Sequence, residues 1–187
     1  SRAVLLEQKG EFEAALALAD EMLETDSVTN VIILKVNALK GLHRSDDAIS
    51  FLKEVIDESG ENTRRLRLMY ARFLFEGQRL DDARIEYEIV LKETPNDGDV
   101  LFALALVAME QKQDAKAKDY FQQMIRWNRR VGEAHFYLGS LAEKNKQIPE
   151  AIGEYRQVSQ GYEFLPAQAR IARLMLEEGR LEEMQSY

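Results

Sequence analysis

Small and apolar residues recur along this chain at intervals close to 34 residues. Five alanines mark the interval, with successive steps of 33, 35, 34 and 34 residues: Ala15, Ala48, Ala83, Ala117 and Ala151. One more step of 33 residues reaches Met184. A period of this length along a whole chain is typical of stacked helical hairpins, each of which buries its apolar face against its neighbours. The pattern therefore predicts an all-α solenoid.

Residues 132–164 show most clearly how one unit is built. The first predicted helix carries small and apolar residues on one face: Leu138, Gly139, Leu141 and Ala142. A polar stretch at 144–147 ends that helix, and Pro149 follows at the start of a second helix, where a missing N–H is tolerated. The second helix has its own apolar stripe: Ala151, Ile152, Tyr155 and Val158. Small residues where the helices cross allow their axes to approach to about 8–10 Å.

These residues resemble the tetratricopeptide repeat (TPR) family, whose unit is a helix–turn–helix of about 34 residues. The glycine slot of the first helix holds Ala3, Val36, Ala71, Ala105, Gly139 and Ala172. The aromatic slot of the second helix holds Ala19, Leu52, Tyr87, Phe121 and Tyr155. The apolar slot that follows it holds Met22, Val55, Val90, Met124 and Val158. The family's tryptophan in the first helix is missing throughout.

The resemblance implies a TPR-type right-handed superhelix, with four full repeats and a partial repeat at each end. The full repeats are predicted at 29–63, 64–97, 98–131 and 132–164. The partial repeats are predicted at 1–28 and 165–187, and a further helix is expected to start near Leu181. Because both ends fall inside a helical pattern, the sequence indicates a single solenoid domain that is a fragment of a longer protein.

In TPR proteins the first helix of each pair lines the concave side of the superhelix, where ligands usually bind. Carried over position by position, the resemblance implies a partner-binding groove formed by Asn37, Arg65, Leu68, Arg72, Phe75, Phe102, Leu106, Met109, Phe136, Ser140 and Arg173. The six apolar members are expected to form one contiguous stripe, and a stripe rimmed by polar groups is typical of a binding site. The three arginines could add bidentate contacts to carboxylates of the ligand.

Two interpretations of this stripe stay open at the level of sequence. In the first, it anchors a peptide or protein partner, and in the second, its residues pack against the adjacent helices. A narrower function known in the family, a carboxylate clamp that binds chaperone C-termini, is not expected. The lysines that the clamp requires are replaced by Ile33, Leu68, Phe102 and Phe136.

Net charge narrows the range of partners. The formal charge is -8 and the isoelectric point is near 5.0, so a phosphate backbone would be repelled and nucleic acid is not an expected partner. Two basic clusters stand against this background. Arg64, Arg65 and Arg67 are expected to open a helix, whereas Arg126, Arg129 and Arg130 are interpreted as charges at a helix end or as a patch for an acidic partner. Trp127, within the second cluster, is expected to pack between repeats.

The sequence offers no chemistry for an enzyme, a cofactor or a metal ion. Cysteine is absent, which excludes disulfides and thiolate ligands within this chain. The two histidines, His43 and His135, are predicted in a turn and in a packing slot, and no His, Asp and Glu set has the spacing of a metal site. We therefore predict a protein without catalytic residues.

The stretch Ala134–Met175 also resembles TPR proteins of Gram-negative bacteria, some of which are envelope lipoproteins that scaffold a processing protease. This narrower resemblance favours the periplasm over the cytoplasm. No apolar run reaches the roughly 18 residues of a membrane helix, so direct membrane insertion is not expected. The predicted function is a protein-interaction scaffold or adaptor. The alternatives are a non-catalytic region of a larger envelope protein, or a self-association module that forms a homodimer through apolar ends exposed at Ala3, Leu6 and Leu176.

Overall fold

The computed structural model describes residues 6, 10–25, 29–59 and 63–185 of this protein. Within these residues the secondary structure is entirely helical and comprises ten helices, α1 to α10. The predicted all-α architecture of helix–turn–helix units is therefore confirmed. Two compact units divide the chain, residues 1–90 and residues 91–187, and each has its own internal packing.

The first unit contains helices α1 to α5. Their bounds are Phe12–Thr25 (α1), Thr29–Gly41 (α2), Ser45–Glu58 (α3), Arg64–Glu76 (α4) and Leu80–Glu93 (α5), of which the last three residues of α5 belong to the second unit. Helix α1 packs on α2, α2 on α3, and α3 on α4. An ion pair of 2.6 Å between Arg67 of α4 and Glu86 of α5 connects these two helices.

The second unit contains helices α6 to α10. Their bounds are Gly98–Glu110 (α6), Asp114–Arg126 (α7), Val131–Lys144 (α8), Ile148–Arg156 (α9) and Phe164–Gln185 (α10). Each of these helices packs on the next one along the chain. Side-chain contacts also join α6 to α8 and α8 to α10, so these three helices lie in sequence along one side of the unit.

The periodic alanines lie at the centre of the packing. All five are completely buried: Ala15, Ala48, Ala83, Ala117 and Ala151. Each belongs to the second helix of a hairpin, and on the opposing first helices Val36, Ala71, Ala105 and Gly139 are also buried. Small side chains at these positions let the two helices of a hairpin approach each other closely.

The turns inside the four complete hairpins, α2–α3, α4–α5, α6–α7 and α8–α9, repeat the same backbone conformation. Each turn places one non-glycine residue in the left-handed region, with φ of 58°, 60°, 57° and 59° at His43, Gln78, Lys112 and Lys146 respectively. The next residue donates its backbone N–H to a carbonyl five positions earlier, over 2.8–2.9 Å, in all four turns. This bond satisfies a helix-terminal carbonyl that would otherwise lack a partner.

Several individual predictions are wrong. Trp127 is 48% exposed, because it lies just past the last residue of α7 and its side chain leaves the packed face. Met22 and Ala172 are exposed as well, although both were assigned to packing slots. Leu6, which was expected to be exposed, is half-buried and packs against the cluster that contains Ala15 and Ala19. Ala3 lies outside the described residues.

The C-terminal helix is longer than the sequence pattern suggests. Helix α10 continues without a break from Phe164 to Gln185, where a new helix had been expected to start near Leu181. Glutamate, arginine, leucine and methionine are strong helix formers and dominate residues 173–185, so a single exposed glycine, Gly179, does not end the helix. Neither α10 nor any other described helix combines the length and apolar character that crossing a bilayer requires.

Candidate functional site

Four aromatic rings form a continuous row in the second unit. Phe102 of α6 contacts Tyr137 of α8 edge to face, with ring centroids 5.3 Å apart. Tyr137 contacts Phe136 at 5.8 Å, and Phe136 contacts Tyr155 of α9 at 5.6 Å. We refer to these four residues as the aromatic row. Ring pairs at such distances and tilts are in the favourable range for aromatic contacts.

The aromatic row is partly buried and partly exposed. Tyr155 is completely buried, whereas Phe102, Phe136 and Tyr137 are half-buried. Phe121 of α7, also completely buried, lies behind the row and stacks on Tyr137 at 5.4 Å. The rings therefore contribute to the packing between helices, and three of them keep some surface in contact with solvent.

The outer face of α6 extends this apolar surface. Phe102, Leu106 and Met109 are spaced four and three residues apart, so they share one side of the helix. All three are half-buried, in contrast to Leu101 and Ala105 on the inner side, which are completely buried. Met109 and Phe102 also contact the core formed by α6, α7 and α8.

A guanidinium group covers one end of the aromatic row. The Cζ atom of Arg130 lies 4.0 Å from the centroid of the Phe102 ring, which is a cation–π contact. Its Nη2 donates to Glu133 Oε1 over 2.6 Å, and its Nη1 donates to Asp99 Oδ1 over 3.0 Å. The hydrogen bond that Arg130 donates to Glu133, together with the negative charges of Glu133 and Asp99, outweighs partial burial and raises the pKa of Arg130.

The position of Arg130 differs from the sequence interpretation. It precedes α8 as the residue at its N-cap, with a left-handed φ of 46°, and does not lie at the end of α7. Of the three arginines in that cluster, Arg126 alone lies in the last turn of α7. Arg130 instead bridges α6 and α8 through Asp99 and Glu133.

A carboxylate with three partners occupies the other end of the aromatic row. Glu143 accepts a hydrogen bond of 2.9 Å from the Tyr155 hydroxyl. It also accepts one of 3.0 Å from Arg170 Nη1 and a further one from Arg173. Glu143 belongs to α8, Tyr155 to α9 and both arginines to α10, so this cluster joins three helices.

This cluster shifts the pKa values of two of its members. Burial by itself would raise the pKa of Glu143, but the Tyr155 hydroxyl and the positive charges of Arg170 and Arg173 outweigh it and lower that pKa. Burial, together with the hydrogen bond to Glu143, raises the pKa of Tyr155 to about 12. Both shifts favour the arrangement seen in the structure, a neutral tyrosine that donates to an ionised glutamate.

The structure brings together the predicted groove residues of the second unit. Phe102 and Phe136 both contact Tyr137, and Ser140 lies close enough to Tyr155 to oppose in part the rise in its pKa. Arg173 was expected to be available to a ligand, and in the structure its guanidinium already contacts Glu143. Half of the Arg173 side chain stays exposed, at 50%.

The predicted groove residues of the first unit lie on α2 and α4. The half-buried members are Asn37, Leu68 and Phe75, and the exposed ones are Arg65 and Arg72. Arg72 Nε lies 3.8 Å from a Glu76 carboxylate oxygen one turn further along the helix. Another cation of this unit, Lys40, contacts the same glutamate at 2.7 Å. Glu76 thus neutralises part of the positive charge there.

Sequence reasoning did not assign two residues of the site, Tyr137 and Arg130, to the groove. Both contact the Phe102 ring and connect α6 with α8. Tyr137 lies next to a predicted groove position, but no slot of the repeat pattern marked it. Arg130 was noted as part of a basic cluster, but its contacts depend on a left-handed residue in an inter-repeat connection. His135, assigned to a packing slot, is half-buried with Nδ1 2.7 Å from Glu154. Among the described residues, no group of three or more potential ligands could hold a metal ion.

Comparison with known proteins identifies related sequences. Two family profiles described as Tetratricopeptide repeat match the chain, one over residues 41–107 and the other over residues 102–166. The TPR repeat-containing protein PA4667 of Pseudomonas aeruginosa is 38% identical over 182 residues, which make up 97% of this chain and 31% of that protein. The chain therefore spans about a third of the length of this relative.

Solved structures resemble most of this chain in fold. MamA from Desulfovibrio magneticus, from residue 41 to its end, has a TM-score of 0.71 at 17% identity, and the match covers 83% of this chain and 88% of that one. A tetratricopeptide repeat protein from Parabacteroides merdae has a TM-score of 0.75 at 13% identity, with coverage of 99% and 74%. At such identities the likeness establishes a common fold and nothing further.

Proposed function

Because this chain belongs to the tetratricopeptide repeat family, we propose that it is a protein-interaction scaffold that binds a peptide or protein segment along its aromatic row. Proteins of this family are generally scaffolds without catalytic activity. The proposed binding surface consists of Phe102, Leu106, Met109, Phe136, Ser140 and Arg173 in the second unit. The corresponding positions of the first unit, Asn37, Arg65, Leu68, Arg72 and Phe75, are proposed as groove residues on the strength of the family resemblance.

The observation that carries the proposal is the partial exposure of three rings of the aromatic row, Phe102, Phe136 and Tyr137, and of the α6 face beside them. Phe102, Leu106, Met109 and Phe136 each keep surface that a ligand could bury. Complete burial of one such side chain is worth about 1.5–3 kcal/mol, so the remaining exposed fractions of four of them supply a few kcal/mol in total. Ordering of the ligand consumes part of this gain, so the ligand's own buried surface and polar contacts must supply the rest of the binding free energy.

A peptide selection tests the proposal directly. A random library of 12-residue peptides displayed on phage is selected against the chain, and the enriched peptides are synthesised and titrated by fluorescence anisotropy. We expect Leu106→Glu to weaken binding at least tenfold, because it places a charge in the middle of the apolar face. Leu106 is a better probe than Phe102 or Phe136, whose rings also contact the core.

The matched control is Ile85→Glu. Ile85 is a large apolar residue on α5 that is 46% exposed and lies outside the aromatic row. This variant should bind the selected peptides as tightly as the unsubstituted chain, and circular dichroism should show both variants folded. Selection of no peptides, or peptides whose affinity is unchanged by Leu106→Glu, would show that the aromatic row is not a binding surface.

A separate observation favours self-association as a second candidate function. On α8, Gly139 and Ala142 are buried against α9, whereas the residues 33 positions later on α10, Ala172 and Met175, are exposed. Leu165 and Leu176 nearby are 74% and 64% exposed. Helix α10 thus presents an apolar face that another helix could cover.

We propose a second copy of this chain as the occupant of that face. Arg170 and Arg173 lie in the first half of α10, and Glu177 and Glu178 follow in the second half, so two α10 helices in antiparallel order bring opposite charges together. Sedimentation velocity at several concentrations should show a dimer that Met175→Lys with Leu176→Lys dissociates and Ile85→Lys does not. A monomer at every concentration would contradict this second proposal.

A further inference from the structure

The two ends of the aromatic row differ in net charge. From this difference we infer that the ligand is a short apolar segment with a basic group at one end and an acidic group at the other, bound in a single orientation. The basic group lies at the Phe102 end and the acidic group at the Glu143 end. This inference rests on the proposed function and adds to it the chemical class of the ligand and its direction.

The Phe102 end carries an excess of negative charge. Arg130 is a single cation that contacts two carboxylates, Asp99 and Glu133. The guanidinium of Arg130 also stacks on the Phe102 ring. Both the face and the N–H donors of this guanidinium therefore already have partners within the chain. The Asp99 side chain is 88% exposed, which leaves carboxylate surface for a lysine or arginine of a ligand.

The Glu143 end carries an excess of positive charge. Here a single carboxylate is shared by two guanidinium groups, those of Arg170 and Arg173. The Glu143 side chain is 16% exposed, whereas the arginine side chains are 43% and 50% exposed. The accessible groups at this end are therefore cationic donors, and a ligand carboxylate can accept from them without displacing Glu143.

The length of the row limits the length of the apolar segment. Its three ring-to-ring steps each measure less than 6 Å, so the row is shorter than about 18 Å. An extended chain advances about 3.3–3.6 Å per residue, so about five residues span it. The acidic and basic groups of the ligand should accordingly be separated by about five residues.

Charge-varied peptides test the inference. One apolar core obtained from the phage selection is synthesised in four forms, with lysine and aspartate at its ends, with either charge replaced by glutamine, and with both replaced. We expect the doubly charged form to bind about two- to fivefold more tightly per charge than the neutral form. The advantage should shrink as the ionic strength rises from 0.02 to about 0.5 M.

Two neutralising variants assign each charge to its end of the row. Asp99→Asn should remove the benefit of the lysine and leave that of the aspartate unchanged, whereas Arg173→Gln should do the opposite. Both side chains are at least half exposed, so neither change should unfold the chain. As a control for general charge effects, Lys53→Gln on α3 should alter neither benefit, since Lys53 lies in the first unit.

A nitroxide label reports the orientation. Attached beside the peptide's aspartate, it should broaden the methyl resonance of Ala169 on α10, and attached beside the lysine, that of Ala103 on α6. Equal broadening of both methyl groups from either end would overturn the single orientation. Tight binding that is indifferent to all end charges would overturn the inference and leave the proposed function intact, whereas failure of every peptide to bind would overturn the proposed function itself.

Discussion

A methyl group placed on Gly139 would lie 2.7 Å from both Cδ1 and Cε1 of the Tyr155 ring. Real Cβ atoms do not approach other heavy atoms so closely. Helices α8 and α9 therefore cross at a distance that the missing side chain of Gly139 permits. Tyr155 in turn contacts Phe136 and donates to Glu143, so this crossing positions the Glu143 end of the aromatic row.

Gly139→Ala should destabilise the chain by about 1–3 kcal/mol, because the new methyl group forces the Tyr155 ring or the α8–α9 crossing to move. Urea unfolding followed by circular dichroism measures the change. Gly153→Ala on α9 is the matched control, since nothing lies within 4 Å of its Cβ position. An alanine there should stabilise by about 0.5–1 kcal/mol, through helix propensity alone. Equal effects of the two substitutions would contradict the close approach at Gly139.

Two buried tyrosines should make the free energy of unfolding fall at high pH. Burial raises the pKa of Tyr87 and of Tyr155 to about 12. These folded-state pKa values exceed the unfolded-state value of about 10. The contribution of the two tyrosines to the free energy of unfolding is therefore fully present below pH 10 and is lost as the pH rises towards 12. Absorbance at 295 nm, followed against pH, should show a step of tyrosinate formation towards pH 12 that coincides with loss of the helical circular dichroism signal.

The Glu143 cluster should make stability depend on acid pH. The pKa of Glu143 is lower in the folded state than in the unfolded state, where it is about 4.3. Its contribution to the free energy of unfolding is therefore present above pH 4.3 and is lost as the pH falls through the folded-state pKa. Glu143→Gln should cost about 1–2 kcal/mol at pH 7, and the difference from the unsubstituted chain should shrink at pH 3. Asp119→Asn, on the exposed side of α7, serves as the control. A difference that is the same at both pH values would rule out this ionic role.

The hairpin turns should prefer glycine to a β-branched residue. Lys146 has a φ of 59°, where a Cβ is unfavourable and a branched one more so. We expect Lys146→Val to destabilise by about 1–2 kcal/mol and Lys146→Gly to be neutral or stabilising by up to about 1 kcal/mol. Thermal unfolding of the two variants measures which is the more stable. A valine variant as stable as the glycine variant would contradict the left-handed conformation of this turn.

The helices and their buried faces could be predicted from the sequence because both follow from local spacing. The alanine period selected residues that prove to be completely buried, such as Ala48 and Ala117. Pro149 was correctly placed at the start of α9, where the lack of an N–H removes no helix hydrogen bond. Positions of this kind depend on one helix and its nearest neighbour.

The features of the fold and of the candidate site that the sequence did not predict depend on contacts between residues that are distant in the chain. Arg130 covers Phe102 because a left-handed backbone turns it back over α6, and no spacing rule encodes that conformation. Similarly, Arg173 was assigned to the groove from its position in the repeat, whereas its pairing with Glu143, 30 residues earlier, required the structure. Trp127 was misassigned because a residue just past a helix end does not follow the helical period.

The four hairpin turns have a bearing on how such a chain can change in length. Each turn is closed by main-chain atoms through the same bond, whether its left-handed residue is a histidine, a glutamine or a lysine. If the chain were cut at equivalent points of two turns and the flanking parts were joined, the new turn would form the same main-chain hydrogen bond. One period of about 34 residues is therefore the natural unit for duplication, deletion or exchange in a gene that encodes this protein.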